Sequence, residues 1–351
     1  QEQYVYEIFN TVNTLGHKLS RFDILRNQIV SKINNIDNIT PEQLTELKTI
    51  LLAIADDQNV DQTTMSKFIE IYPQTKRSTF NKSAMTEYWD EWLTQRFTTH
   101  DSACNALNTY YKHLQFFNHL NKGDFEEPEG ENLDFTILNN NLKWINFASV
   151  KIHIPLLLNA YLCERSPDVL LKLLKFSEKM FLYLRLYQKD LPQYLKNRIA
   201  NSLNGTIHKT DCRCRECTNE GEENNHPAMV INWNTDDVDE IINLLTQKFF
   251  NNIDIEGFTE IMSTKNDYSS GQSKFILWNI EQYLQDQYNE AEENVMQADV
   301  ILVHNSSWEQ EHIMPKNGTI PNWGEYAKGT DANADNINKI GNHTLYEKIG
   351  N

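Results

Sequence analysis

Apolar residues recur at every third or fourth position through most of the chain, and this period predicts α-helices. One helix start is marked by Thr40, Pro41 and Gln43, which supply a cap, a proline at the first helical position and the partner of a capping box. The apolar residues that follow at helical spacing are Leu44, Leu47, Leu51 and Ile54. The pattern therefore predicts a helix whose apolar stripe faces a core.

The same signals predict further helices on both sides of this one. Ser20, with Asp23 three residues later, caps a predicted helix over 21–33. The other predicted helices cover 4–12, 61–72, 84–97, 103–120, 236–250 and 274–288. Residues 133–201 are predicted to be almost continuously helical, with a break at Ser166 and Pro167. Segments 154–162 and 169–186 are apolar on most faces, which indicates core helices of a bundle.

Aromatic residues form a stripe along two of the predicted helices. Its members are Tyr88, Trp89, Trp92, Tyr110, Tyr111, Phe116 and Phe117. Stacking on nucleic acid bases is one interpretation, but such surfaces interleave aromatics with Lys and Arg, which are scarce here. We therefore expect the stripe to pack in the core.

The pattern of apolar and polar residues changes after Met296. Residues 300–303 predict a short strand, and loops rich in Gly, Pro and Asn follow. Together with the preceding segments this predicts a mainly α fold, a multi-helix bundle followed by a small mixed unit.

Composition restricts the classes of function. The 351 residues, 40% of them hydrophobic, suffice for two or three compact units. The sequence shows neither a membrane span nor a signal peptide, so we expect a cytoplasmic protein without a membrane partner.

The net charge of −17 disfavours non-specific coating of nucleic acid. It leaves room for a nuclease with a local basic set, for which the candidates are Lys316, Lys328, Lys339 and Lys348, although lysines at these positions also serve ordinary solubility.

Three of the five cysteines lie close together in a polar segment, at Cys212, Cys214 and Cys217. Three thiolates and one imidazole make a closed tetrahedral zinc site, and His208 or His226 would supply the fourth ligand. Such a structural zinc would fix an insertion that lacks its own core. Unliganded loop thiols, a redox role and a zinc knuckle that contacts DNA are the alternatives.

An acidic residue next to a histidine, Glu311-His312, is followed by two asparagines, Asn342 and Asn351. Hydrolysis of a phosphodiester needs an activated water and a cation that neutralises the developing charge. On a strand or turn, adjacent side chains point in different directions, so one could hold a metal while the histidine acts as base. Taken alone, the pair is weak, since His304 and His312 could both be structural histidines.

A longer set of residues around this pair resembles a known family. The segments that carry the resemblance are Glu311-His312-Ile313-Met314-Pro315, then Trp323, then Ile340-Gly341-Asn342-His343-Thr344-Leu345 and Asn351. They resemble the C-terminal HNH-type domain of GmrSD-like modification-dependent (type IV) restriction enzymes. Lys274-Phe275-Ile276-Leu277-Trp278 and Glu281 resemble the helix that leads into that domain.

The first residues of the chain agree with this resemblance. The run from Phe9 to Gly16, with Leu19-Ser20 and Asp23-Ile24-Leu25-Arg26, resembles the end of the ParB-like NTP-binding domain with which those enzymes begin. The family's Asp-Gly-Gln-Gln-Arg motif does not occur here. We therefore expect a fragment that begins after this motif and stops before the nuclease domain ends, so that an NTP would bind only through the missing N-terminal domain.

The resemblance implies a domain order and a set of site residues. The domains would be 1–34, the end of the ParB-like domain; 35–270, a helical spacer with a Cys-rich insertion near 205–230; and 271–351, a truncated ββα-metal (HNH-like) unit.

Glu311 and Asn351 would be ligands of a divalent cation, Mg or Mn, with Glu311 and His312 on the first strand and Asn351 on the helix. His312 would be the general base and Asn342 would orient it. His343 stands where the family more often has Leu, and it would either add a ligand or be simple variation.

The resemblance implies an endonuclease that cuts modified or foreign DNA in restriction or phage defence. On this hypothesis the fragment itself can be inactive, and a homo-oligomer is left open. The alternative is a helical sensor or partner-binding scaffold that carries a degenerate, inactive HNH remnant.

Overall fold

The structure is a computed structural model in which the chain is mainly helical. It describes residues 19–76, 81–126, 135–148, 151–187, 199, 203, 231–234, 237–250, 254–264, 270–291, 308–312 and 343–347. Within these ranges, no helix combines the length and the apolar character that crossing a bilayer requires. The predicted helix at 4–12 and the predicted strand at 300–303 lie outside the described residues.

The helices and strands are numbered in chain order. The first five are α1 (Arg21–Asn34), α2 (Pro41–Ala55), α3 (Gln62–Ile71), α4 (Lys82–Arg96) and α5 (His100–Lys122), and a 3₁₀ turn (Tyr72–Thr75) follows α3. The next three are α6 (Thr136–Phe147), α7 (His153–Leu162) and α8 (Pro167–Met180), which continues into a π-helical segment (Phe181–Tyr187). The last elements are α9 (Val238–Phe249), α10 (Ile255–Thr264), α11 (Ser270–Ala291), β1 (Trp308–His312) and β2 (His343–Glu347).

Local capping chemistry sets the first helix starts. Ser20 and Thr40 each form a complete capping box, with Asp23 and Gln43 as the respective partners. Each box satisfies amide groups that a helix start otherwise leaves without a partner. Both predicted starts are confirmed, because the signals that define them lie within four residues of sequence.

Two compact units divide the chain. The first contains Gln1–His119, Ile154–Cys163 and Lys196–Trp233. Its core is aromatic: the Phe68 ring meets the Tyr110 ring edge-on at 5.3 Å and the Phe117 ring at 5.5 Å, and all three side chains are buried. The indole nitrogen of Trp89 donates a hydrogen bond to the carbonyl oxygen of Ile69 at 2.9 Å. The prediction that the aromatic stripe packs in the core is confirmed for these residues.

The second unit contains Leu120–His153, Glu164–Leu195 and Asn234–Asn351. In it α8 packs against α6 and α9, and α11 packs against α6. The indole rings of Trp144 on α6 and Trp278 on α11 are stacked 5.4 Å apart, and both side chains are buried. The predicted domain boundaries at 34 and 270 are not tested by this division and stay predictions.

The predicted break at Ser166 and Pro167 is confirmed, because α7 ends at Leu162 and α8 begins at Pro167. A further interruption, which the sequence analysis did not name, separates the end of α6 at Phe147 from the start of α7 at His153. At the end of α6, a Cβ on Gly271 of α11 would lie 2.8 Å from the carbonyl oxygen of Phe147, so α11 approaches the end of α6 closely. A contact with a residue so far along the chain leaves no local signal in the sequence.

The two strands form an antiparallel pair. Trp308 pairs with Glu347 at one end, and His312 pairs with His343 at the other. The preceding helix α11 contacts both strands. The helix of the predicted ββα unit would follow Glu347 and lies outside the described residues, so that unit remains a prediction.

Candidate functional site

Glu311 and His312 are the last two residues of β1. In the register of the strand pair, Glu311 is opposite Thr344 and His312 is opposite His343. Antiparallel neighbours in directly opposite positions have Cα atoms about 4.5–5.5 Å apart. The backbone therefore brings the Glu-His pair next to the first residues of β2, which follow Asn342 in the sequence.

The remaining residues of the two predicted metal sites lie outside the described residues. They are Asn342 and Asn351 of the nuclease motif, and Cys212, Cys214, Cys217, His208 and His226 of the predicted zinc site. Their ligand roles stay predictions.

The helix in front of the strand pair is held firmly in its own unit. Phe275, Ile276 and Trp278 of α11 are buried. The Phe275 ring meets the Phe181 ring nearly edge-on, with the ring centroids 5.6 Å apart. Burial of large aromatic side chains is the main stabilising contribution in such a contact. Helix α11 is thus a fixed support against which β1 and β2 lie.

A carboxyl group is buried in the same unit. Glu178 of α8 is buried, and the amide nitrogen of Asn141 donates to its Oε1 over a long distance of 3.4 Å. Burial raises the pKa of Glu178 to about 8, because desolvation opposes the charged form more strongly than the nearby Lys175 and Asn141 favour it. At neutral pH this carboxyl is therefore mostly protonated in the folded protein.

A third set of potential metal ligands lies in the first unit, where the sequence analysis named none. Oε2 of Glu46 is 3.1 Å from Nε2 of His100, and Sγ of Cys104 is 3.4 Å from the same nitrogen. The three ligand atoms lie within 4.8 Å of one another. Among the described residues this is the group that could hold a metal ion.

Two helices bring this set together. His100 and Cys104 lie one turn apart at the start of α5, which Thr99 caps by accepting a hydrogen bond from the Ser102 amide at 3.3 Å. The cap explains why α5 begins before residue 103, where the periodicity predicts its start. Glu46 comes from α2. A His-x-x-x-Cys spacing on a helix is the signal that could have indicated two of these ligands, but nothing local indicates the third.

Two further histidines pack inside the protein, His113 at a half-buried position and His153 at a fully buried one. Nδ1 of His113 is 3.1 Å from the Tyr72 hydroxyl, and burial, with Lys76 and Lys112 nearby, lowers the pKa of His113 to about 4. Burial also holds the pKa of His153 well below its usual range. Both imidazoles are therefore neutral at physiological pH.

Comparison with known proteins identifies the end of the chain. Residues 253–351 match the family of GmrSD restriction endonucleases, C-terminal domain. The matched segment includes α10, α11, β1 and β2, and it includes Glu311, His312, Asn342 and Asn351. No curated protein matches the chain. Residues 253–351 are therefore similar to the C-terminal domain of GmrSD restriction endonucleases.

Proposed function

We propose that the protein is part of an endonuclease that hydrolyses phosphodiester bonds in modified or foreign DNA in the course of restriction. The family match over 253–351 supports a nuclease in phage defence. The observation that carries the proposal is the pairing of His312 with His343, which joins the end of the Glu-His strand to the segment after Asn342. A restriction enzyme that meets incoming DNA would act in the cytoplasm.

The donor chemistry of these residues suits a hard divalent cation. A carboxylate from Glu311 and an amide oxygen from Asn351 are oxygen ligands of the kind that Mg²⁺ and Mn²⁺ prefer. When bound, the cation would neutralise charge that develops on the phosphate. A cation is also what lets a chain of net charge −17 approach DNA at this point.

His312 would act as the general base that takes a proton from the attacking water. Imidazole suits this role because its ordinary pKa lies close to neutral pH. Asn342 would hold the imidazole of His312 in a productive orientation by accepting a hydrogen bond from a ring N–H of His312 with its side-chain oxygen. A structural zinc on Cys212, Cys214 and Cys217 would be a separate site that orders the polar insertion.

A matched pair of substitutions on β1 tests the metal-ligand role. Glu311→Gln and Glu309→Gln make the same change on the same strand, but Glu309 is opposite Tyr346 and is not a proposed ligand. Loss of an outer-shell group costs about 10–100-fold in metal affinity or activity, so loss of a ligand should cost at least about 100-fold. We expect this loss in cleavage by the full-length protein at subsaturating Mg²⁺ for Glu311→Gln alone. Equal activities of the two variants would contradict the assignment.

The scaffold alternative makes a different prediction for the same assay. If the strand pair were a degenerate remnant, the full-length protein would cleave no DNA with Mg²⁺ or Mn²⁺, whatever DNA modification is offered.

A further inference from the structure

We propose that Glu46, His100 and Cys104 form a zinc-binding site that links α2 to the start of α5, separate from the nuclease motif and from the cysteine cluster at 212–217. The three side chains supply a carboxylate, an imidazole and a thiolate, which are the ligand types that zinc takes in proteins. All three residues belong to the first unit.

The distances between the ligand atoms of Glu46, His100 and Cys104 are close to those in a tetrahedral zinc site. Tetrahedral zinc with bonds of about 2.0–2.3 Å separates a nitrogen and an oxygen ligand by about 3.4 Å, and a nitrogen and a sulfur ligand by about 3.6 Å. The structure has 3.1 Å between Nε2 of His100 and Oε2 of Glu46, and 3.4 Å between the same nitrogen and Sγ of Cys104. Only small side-chain rotations are needed to receive the ion.

The other nitrogen of the imidazole is oriented as in a metal site. Nδ1 of His100 lies 3.0 Å from Oδ1 of Asp101. A metal-binding histidine almost always donates its second N–H to a carboxylate, a carbonyl oxygen or water, which fixes the ring and the tautomer. With zinc bound, Nδ1 of His100 would donate to Asp101, and Nε2 would bind the ion between Glu46 and Cys104.

The thiol also gains from a cation. Coordination to zinc deprotonates a thiol and releases the proton to solvent. Glu46 is 59% exposed, so water would be available as the fourth ligand of the ion.

The position of the site explains what it would stabilise. Farther along α5, the Tyr111 hydroxyl donates to Oδ2 of Asp57, two residues after the end of α2, at 2.8 Å. The zinc would join the two helices near the start of α5. It would replace a contact between partly exposed polar groups, which contributes little by itself.

Cobalt binding tests the site with a spectroscopic signal. The probe is Co²⁺ added to reduced, metal-free protein in which Cys212, Cys214 and Cys217 are all replaced by Ser, so that the other cysteine cluster cannot contribute. We expect one equivalent of Co²⁺ with a thiolate-to-metal charge-transfer band that Zn²⁺ removes. The same protein with Cys104→Ser should lose the band, and with Cys163→Ser, the matched cysteine control, should keep it.

Two further variants separate ligation from folding. His100→Asn should weaken Co²⁺ binding by more than about 100-fold, and Asp101→Asn, which acts through His100, by about 10–100-fold. Circular dichroism confirms that each variant keeps its helices. The proposal is overturned if the triple-Ser protein shows no band, as expected when an imidazolium simply pairs with two carboxylates, or if the band survives Cys104→Ser.

Discussion

His312 at the end of β1 is directly opposite His343 at the start of β2 in the antiparallel pair. This pairing places two chemically relevant segments of the chain side by side, although thirty residues separate them in sequence. It makes the strand pair a framework for the proposed nuclease centre. Helix α11 supports this framework, since it contacts both strands and is itself packed against α6.

The support from α11 predicts that a substitution far from the motif reduces activity. Gly271→Ala would place a Cβ 2.8 Å from the carbonyl oxygen of Phe147, and this backbone atom cannot rotate away. We expect a loss of about 1–3 kcal/mol in the free energy of unfolding, and lower DNA cleavage because α11 must shift. Denaturant unfolding of Gly271→Ala measures the change. Ile280→Ala, at a half-exposed position of the same helix, is the control and should change stability by less than about 1 kcal/mol. A Gly271→Ala protein as stable as the wild type would show that α11 does not need this close approach.

Two tyrosines of the first unit differ in whether their hydroxyl groups have a hydrogen-bond partner. Replacing each by phenylalanine is therefore predicted to change the stability in opposite directions. Among the described residues the buried Tyr110 hydroxyl has no hydrogen-bond partner, whereas the Tyr72 hydroxyl lies 3.1 Å from Nδ1 of His113. Tyr110→Phe removes an unpaired buried group and should stabilise the protein by about 1 kcal/mol. Tyr72→Phe leaves the imidazole unpaired and should destabilise it by about 1 kcal/mol. Thermal unfolding of both variants checks the signs, and equal effects would contradict the assignment.

Glu178 predicts a specific dependence of stability on pH. Burial raises its pKa from 4.5 to about 8 in the folded protein, so the folded state binds more protons than the unfolded state between these values. The contribution of this group is therefore fully present below pH 4.5 and is lost as the pH rises through 8. Glu178→Gln, which is neutral at every pH, should be more stable than the wild type at pH 7 by on the order of 3 kcal/mol, and the difference should vanish near pH 4. Glu240→Gln, at an exposed position, is the control. A difference that does not change with pH would mean that Glu178 ionises normally.

The sequence predicted those features whose causes are local. The caps at Ser20 and Thr40 were found because each depends on residues within one turn. The close approach of Gly271 on α11 to the end of α6 was missed because it joins segments that are far apart in the sequence. The cluster of Glu46, His100 and Cys104 was missed for the same kind of reason, since its carboxylate comes from α2 and its other two ligands come from α5. Packing between distant segments has no signature in a local pattern.

The residues of the nuclease motif and the strand that carries Glu311 and His312 could be predicted from the sequence. The chemical roles of these residues could not. The Glu-His pair and the later asparagines were identified because their order resembles a family that the match over 253–351 supports. The structure has Glu311 and His312 at the end of a strand, as that resemblance implies. The divalent cation, the base role of His312 and the ligand role of Asn351 stay proposals, because they depend on side-chain arrangements that no pattern of residues specifies.

The rate of DNA cleavage by the full-length protein with Mg²⁺ or Mn²⁺, compared between His312→Ala and His304→Ala, tests the central claim most directly. Both substitutions remove an imidazole, but only His312 is the proposed general base. We expect His312→Ala to lose about 10²–10⁴-fold in rate while its circular dichroism and its unfolding transition match those of the wild type. His304→Ala should cleave at nearly the wild-type rate. Wild-type cleavage by a folded His312→Ala protein would contradict the account.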